Sequence, residues 1–194
     1  MNLTLDQFTK WMEIYQQKIK YNQDYLNDLD SQIGDGDHGS NMLRGMDAVV
    51  NDLKHKKDYD LTDALKITAM ALITNVGGAS GPLYGSAFLE MHKKSQDTTE
   101  IGELLDAATR GIQNRGNAEP DDKTMYDVWL LLTDAVKNNE LTSKLIKQTV
   151  EHTKNLIAKK GRASYLGERS KGVLDPGAVS SGYLFEALLE TEDL

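Results

Sequence analysis

Leu5-Asp6-Gln7-Phe8-Thr9-Lys10-Trp11-Met12-Glu13-Ile14-Tyr15-Gln16-Gln17-Lys18-Ile19 sets Leu5, Phe8, Met12, Tyr15 and Ile19 three and four residues apart, the spacing of one apolar helix face. The spacing returns at Leu61, Ala64, Leu65, Thr68 and Leu72, and no segment shows the two-residue alternation of a strand. Residues able to cap free amides stand at Thr4, Asp37, Asp60, Ser80, Thr99, Asp122, Thr142 and Asp175, which predicts eight helices. Polar connections as short as Gln96-Asp97-Thr98 and Asn138-Asn139-Glu140 join antiparallel neighbours. The predicted architecture is therefore all-α: an eight-helix antiparallel up-and-down bundle or barrel. No linker, repeat or low-complexity tract divides it, so residues 1–194 read as one domain.

The glycines place a site on this frame. They fall in Gly34 to Gly39, Gly77 to Gly81, Gly111 to Gly116, Gly161 to Gly172 and Gly177, nearly all at helix junctions. In an alternating bundle every second junction lies at the same end. The loops after the first, third, fifth and seventh predicted helices are the glycine-rich ones, and those between them are ordinary polar turns. One end of the bundle therefore gathers the unusual backbone expected of a binding site built from loops.

Composition narrows what that site can take. The chain has 194 residues, long enough for a sizeable core, and no cysteine, which excludes disulfides, zinc–thiolate sites and thiol nucleophiles and points to a reducing cytoplasm. No apolar run approaches the roughly 20 residues needed to span a bilayer, and Met1-Asn2-Leu3-Thr4-Leu5-Asp6 lacks the regions of a signal peptide. A formal charge of −8 disfavours general nucleic-acid binding. The one basic cluster, Lys54 to Lys57 around His55, reads as a solvated helix end. An anion bound elsewhere would need a metal to mediate.

Asp30, Asp35 and Asp37 are the candidate ligands for such a metal. They lie within Asp30-Ser31-Gln32-Ile33-Gly34-Asp35-Gly36-Asp37-His38-Gly39, where glycine flanks cost backbone entropy and three carboxylates repel one another. A hard cation such as Mg²⁺ relieves that repulsion and leaves coordination positions for phosphate oxygens, whereas the bland alternative is a solvated acidic loop whose Asp37 caps the next helix. The loop formally matches the dinucleotide fingerprint, but a helix precedes it and its aspartates would repel pyrophosphate. An EF-hand starting at Asp35 would need a ligand at Gly39, a glycine at Ser40 and a glutamate at Met46.

Gly77-Gly78-Ala79-Ser80-Gly81-Pro82 opens a helix with small side chains, so its amides and the Ser80 hydroxyl could cradle phosphate, unless the run only makes a close helix-to-helix turn. It lacks the Lys-Ser/Thr ending of a P-loop, and the chain has no protein-kinase catalytic loop. Arg162, in Gly161-Arg162-Ala163-Ser164-Tyr165-Leu166-Gly167 after a long predicted helix, is either a phosphate clamp or a cation at a helix C-terminus. His38 stays open between base, ligand and stacking group. His92 and His152 read as surface residues, and Trp11 and Trp129 as core or partner contacts.

Together, Ile33 to Gly39, Gly77 to Gly85, Asp122-Lys123-Thr124-Met125, Gly161 to Arg169 and Asp175-Pro176-Gly177-Ala178 resemble the nucleotide-binding L subunits of dihydroxyacetone kinases, in order and along the whole chain. The resemblance implies a barrel of eight antiparallel helices with tightly bound ADP/ATP at one end. It implies Asp30, Asp35 and Asp37 as ligands of two Mg²⁺ ions bridging the phosphates. His38, Gly39, Ser40 and Asn41 would lie along the nucleotide, Ala79 and Ser80 at its phosphates, and Gly116, Met125, Arg162, Asp175, Pro176 and Gly177 around the remainder. Gly161 to Gly172 would form a lid. Asn117 and Asp121 depart from residues common in the family, which touches local contacts and not the metal loop.

Larger relatives fuse this domain to others, for which a chain ending at Leu194 leaves no room. The resemblance therefore points to the phosphotransferase-system-dependent branch. There, ADP would be rephosphorylated in place by a phosphohistidine-carrying M subunit, and the phosphoryl group passed to dihydroxyacetone held on a K subunit. The chemistry asks for positioning and charge neutralisation, with Arg162 as the catalytic charge stabiliser and no general base from this chain. The competing readings are a nonenzymatic Mg-nucleotide-dependent protein contacting a transcription regulator, and a metal-dependent hydrolase.

Overall fold

The computed structural model describes residues 1–191; the single domain expected over 1–194 includes three residues outside that description. The described residues are helical, with one isolated bridge, Asn2 to Glu100, as their only extended pairing. The helices are α1 (Leu5–Tyr21), α2 (Gln23–Ile33), α3 (His38–His55), α4 (Leu61–Asn75), α5 (Ser80–Lys94), α6 (Ile101–Gly116), α7 (Met125–Lys137), α8 (Ser143–His152) and α9 (Pro176–Leu189). Consecutive helices from α3 to α9 pack against each other, and α9 returns to α1, so the chain of contacts closes on itself.

Most starts follow the capping logic. Thr4 and Thr124 each make a reciprocal capping box, with Gln7 and Asp127, while Asp60, Thr142 and Asp175 accept from backbone amides of the first turn. The expected cap at Asp122 sits two residues later, at Thr124, because Asp122 instead accepts from the Glu119 amide within the preceding loop. Glu100, not Thr99, caps α6.

Two departures have physical causes. The first predicted helix is broken at Asn22, which leaves helical geometry at φ −105° and ψ 15° while its side-chain amide and backbone N–H both donate to the Lys18 carbonyl, at 2.8 and 3.1 Å, so eight predicted helices become nine among the described residues. The long helix expected before Gly161 stops at His152, followed by a 3-10 turn at Thr153–Asn155. The carbonyls of Thr153, Leu156 and Val173 all accept from the Lys123 ammonium, at 2.6, 3.1 and 2.7 Å. Lys123 is buried, and its three protons are fully used. Desolvation lowers its pKa, partly offset by the field of Asp175.

That anchor fixes the base of the segment Arg162–Ser170, a 3-10 stretch kinked at Gly167. Gly161, Gly167 and Gly172 have φ of 61°, 53° and 92°, so the turns at its ends and middle use conformations that side chains disfavour. The core itself is apolar and continuous from Phe8, Trp11 and Met12 through Phe88 to Trp129 and Phe185, all fully buried. Trp11 and Trp129 are thus core residues. Trp11 also donates to the Leu184 carbonyl at 2.8 Å, tying α1 to α9.

Replacing Lys123 with methionine leaves three buried carbonyls without their donor. We expect the variant to lose about 2–5 kcal/mol in denaturant unfolding and to exchange the amides of residues 153–173 faster than wild type. Unaltered exchange there would separate Lys123 from the anchoring of this segment.

Candidate functional site

Loops from every second junction meet at one end. Gly34, Asp35 and Asp37 between α2 and α3, residues 77–79 between α4 and α5, the end of α6 at 115–116 with 123–125 at the start of α7, and 160–163 with 175–177 at the start of α9 line one cavity of about 460 Å³. That size lies within the range of small-molecule sites. The alternation of glycine-rich and ordinary junctions is therefore realised in space.

The aspartate loop forms one wall. One oxygen from each of Asp30, Asp35 and Asp37 lies within 4.8 Å of the others. Asp37 occupies the N-cap position of α3, yet its carboxylate makes no cap bond. That work is done from α2: Asn27 Oδ1 accepts from the Ser40 amide at 3.0 Å, and Asp30 Oδ2 accepts from the Asp37 and His38 amides at 2.9 and 3.1 Å. Asp37 is consequently left with a carboxylate available to a cation. Asp30 is buried where Asp35 and Asp37 are exposed. Burial raises its pKa, the two amides pull it down, and Asp35 and Asp37 push it up again. An all-oxygen, triply anionic set with one preorganised member suits Mg²⁺.

The opposite side carries positive charge. Arg115, Lys123, Lys160 and Arg162 also line the cavity. Arg162 reaches across the mouth to Asp35, Nη2 to Oδ2 at 3.3 Å. It is not the helix-end cation of the alternative reading, since α8 ends ten residues before it. The pair is largely exposed and holds the segment only weakly. Lys159 and Lys160 flank the buried Asp122 at 3.5 and 3.7 Å.

Between these walls, the Gly78 to Ser80 turn presents the N-terminus of α5, with Gly78 at φ 68°. Gly77 passes so near Asn41 that a Cβ there would lie 2.9 Å from Asn41 Oδ1. Pro82, Leu83, Gly116 and Met125 give an apolar patch, and Asp175, Pro176 and Gly177 close the inner side at the start of α9. Asp175 Oδ2 caps α9 through the Ala178 amide at 2.7 Å. Burial pushes its carboxyl up to about 7, against the pull of that amide and of Lys123. Burial likewise holds His38 down at about 4. Its ring bridges Ser180 Oγ at 2.9 Å and Ser80 Oγ at 3.2 Å.

Of the residues expected at the site, Asp30, Asp35, Asp37, His38, Asn41, Ala79, Ser80, Gly116, Met125, Arg162, Asp175, Pro176 and Gly177 line the cavity. Gly39 and Ser40 do not. Ser40 Oγ accepts from Gln23 and Asn27 at 3.1 and 2.9 Å, and a Cβ on Gly39 would run into the Gln23 carbonyl. These two residues let α3 pack closely on α2. Sequence reasoning missed Arg115 and Lys160, whose only signal was a basic residue beside a glycine-rich junction. His92 is half-buried, bonded to the Thr62 carbonyl at 2.9 Å, and is less of a surface residue than expected; His152 is exposed against Asp121.

Comparison with known proteins adds independent findings. The family described as DAK2 domain matches residues 32–190. The chain is 45% identical, over 97% of its length and 98% of the relative, to the PTS-dependent dihydroxyacetone kinase, ADP-binding subunit DhaL, of Lactococcus lactis. It is 37% identical, over 97% of each chain, to the PEP-dependent dihydroxyacetone kinase, ADP-binding subunit DhaL, of Escherichia coli. Its fold is similar to that of the dihydroxyacetone kinase from C. freundii solved in complex with AMP-PNP and Mg²⁺, with a TM-score of 0.79 at 21% identity over 99% of this chain and 35% of that one. The chain thus spans about a third of that larger kinase, a likeness of fold.

A carboxyl whose pKa is raised on folding binds its proton more tightly in the folded state. Asp175 therefore contributes stability below its ordinary value of 3.8 that is lost as the pH rises towards about 7, and is constant above. Asp175→Asn keeps the cap oxygen without the charge. In nucleotide-free protein, the variant's stability relative to wild type should climb between about pH 4 and pH 7 and then level off; denaturant unfolding across that range checks it, and a pH-independent difference would contradict the assignment.

Proposed function

The chain belongs to the DAK2 domain family, and from that premise we propose that it is the nucleotide-binding subunit of a dihydroxyacetone kinase, active only with partner subunits. The observation that carries this reading is the pairing of a three-aspartate cluster with the exposed start of α5 across one cavity, beneath a segment that brings Arg162 over the mouth. Relatives at 45% and 37% identity over nearly their full length are named ADP-binding subunits, and a structure of the same fold was solved with AMP-PNP and Mg²⁺.

In this reading the residues act by placement. Asp30, Asp35 and Asp37 would hold two Mg²⁺ ions, which would supply Lewis-acid charge at the phosphates of a bound ADP/ATP; the phosphoryl group would come from the M subunit's phosphohistidine and go to dihydroxyacetone on the K subunit. The amides at Ala79 and Ser80 receive phosphate oxygens at the positive end of α5. Leu83, Gly116 and Met125 offer the apolar wall against a base, and Asp175 to Gly177 bound the inner side. Arg162 stabilises charge on the transferred group, for which it must leave Asp35. The Asp35 carboxylate, a candidate ligand, would be free to release it when it serves the cation. The segment from Gly161 to Gly172 excludes water when it closes. In this reading no described residue of this chain serves as nucleophile; the phosphohistidine donor lies on the M subunit and dihydroxyacetone is held on the K subunit.

Two results test the reading. Asp35→Asn should weaken Mg-ADP binding by more than about tenfold, roughly 1.4 kcal/mol, while circular dichroism reports the same helix content; unchanged binding would remove Asp35 from the ligand set. The purified chain with ATP and dihydroxyacetone should form no product until the K subunit is added. Product formation by the chain alone, at the rate of the mixture, would refute the division of labour, and steady phosphate release without K would favour a hydrolase.

A further inference from the structure

Behind the cavity wall runs a buried polar chain that the function above does not use. Trp129 Nε1 donates to Ser181 Oγ at 3.0 Å; Ser181 and Ser180 each lie 2.8 Å from the Tyr84 hydroxyl; Ser180 Oγ donates to the Gly177 carbonyl at 3.1 Å. Ser180 also meets His38 Nε2 at 2.9 Å, and Ser80 meets His38 Nδ1 at 3.2 Å. Ser180, Ser181 and Trp129 are fully buried.

The direction of each bond follows from counting protons. An indole N–H only donates and a carbonyl only accepts, so the two ends of the chain are fixed. The single Ser180 proton goes to the Gly177 carbonyl, which makes Ser180 an acceptor towards both Tyr84 and His38. Tyr84 spends its proton on Ser180 and must accept from Ser181, whose oxygen in turn accepts from Trp129. Neutral His38 has one ring proton, and Ser180 draws it to Nε2. Nδ1 is left as an acceptor, so the contact with Ser80 exists only if Ser80 donates. Every contact then has its proton, and no other assignment achieves this. The buried Tyr15 hydroxyl lies beside Tyr84 and Ser180, which both act on it, but makes no hydrogen bond of ordinary geometry with either, so the directions above are those of the bonds that are made.

We infer that Ser180 is a positioning residue of the site: it holds His38 as the Nε2–H tautomer and so commits the Ser80 proton inward, leaving Ser80 to present lone pairs to the cavity. Ser180 is fully buried and is not among the cavity-lining residues; it acts through His38. The consequence concerns ligand polarity. Ser80 at the start of α5 faces a ligand as an acceptor, suited to a cation, a bound water or a ligand hydroxyl, while the phosphate-facing donors there are backbone amides. The inference stands on hydrogen-bond accounting and does not depend on which nucleotide the cavity takes.

The full chain carries its own controls. His55 Nδ1 and His92 Nδ1 lie 2.8 and 2.9 Å from the carbonyls of Asn51 and Thr62, which only accept, so both rings carry the opposite tautomer. Long-range ¹H–¹⁵N correlation spectra of the nucleotide-free protein at about pH 8, where imidazoles are neutral, distinguish protonated from bare ring nitrogens. The wild type should show His38 protonated at Nε2 and His92 at Nδ1. In Ser180→Ala, Nε2–H loses its acceptor and the His38 proton should move to Nδ1, towards Ser80. Tyr84→Phe removes a hydroxyl from the same buried chain but leaves Ser180 bonded to Gly177, and should keep the wild-type tautomer. A wild-type His38 protonated at Nδ1, a Ser180→Ala spectrum still showing Nε2–H, or an inverted tautomer in Tyr84→Phe would each overturn the proposal.

Discussion

Three carboxylates brought within 4.8 Å of each other repel, and the site end of the molecule is arranged around that repulsion. The cost is contained by giving one of them a structural job. Asp30 reaches over the loop to hold the Asp37 and His38 amides, while Asn27 takes the Ser40 amide that an N-cap Asp37 would otherwise bind. Asp35, exposed like Asp37, is met by Arg162 from the far side of the mouth. The cluster is thus half satisfied by the fold and half open, which is the condition for a cation to bind strongly without the loop collapsing on itself.

The segment that carries Arg162 is held at its base and loose at its tip. Lys123 uses all three protons on carbonyls of residues 153, 156 and 173, so the start and end of the segment are fastened to the loop before α7. Beyond that anchor, the glycines at 161, 167 and 172 adopt positive φ, and Tyr165 is almost wholly exposed. In the proposed function, a rigid root with glycine joints suits an element that would swing Arg162 from a carboxylate to a phosphate. The exposed Arg162–Asp35 pair is weak enough to yield when the carboxylate finds a better partner.

Much of this was legible in the residues. Apolar spacing from Leu5 to Ile19 and from Leu61 to Leu72 gave helices, and the alternation of glycine-rich with plain junctions located the site end, because backbone freedom is written directly in composition. What escaped was mostly set by contacts distant in sequence. The exception is local: Asn22 ends the first helix with both its side-chain amide and its backbone N–H on the Lys18 carbonyl, which periodicity does not register. The early end of α8 depends on Lys123, thirty residues upstream of the carbonyl it binds at 153. Ser40 turned out to serve helix packing because α2, the helix it faces, follows an unforeseen break. The chain from Trp129 to His38 joins four elements, and no spacing rule brings such residues together.

The central claim is that the aspartate loop and the start of α5 together hold a nucleotide through divalent metal. The most direct measurement is of what the purified protein releases on denaturation, by chromatography for nucleotide and elemental analysis for metal. The account predicts close to one ADP per chain, accompanied by Mg²⁺, and rebinding of added ADP only when Mg²⁺ is present. A protein that releases no nucleotide and binds ADP equally well with and without divalent metal would contradict it.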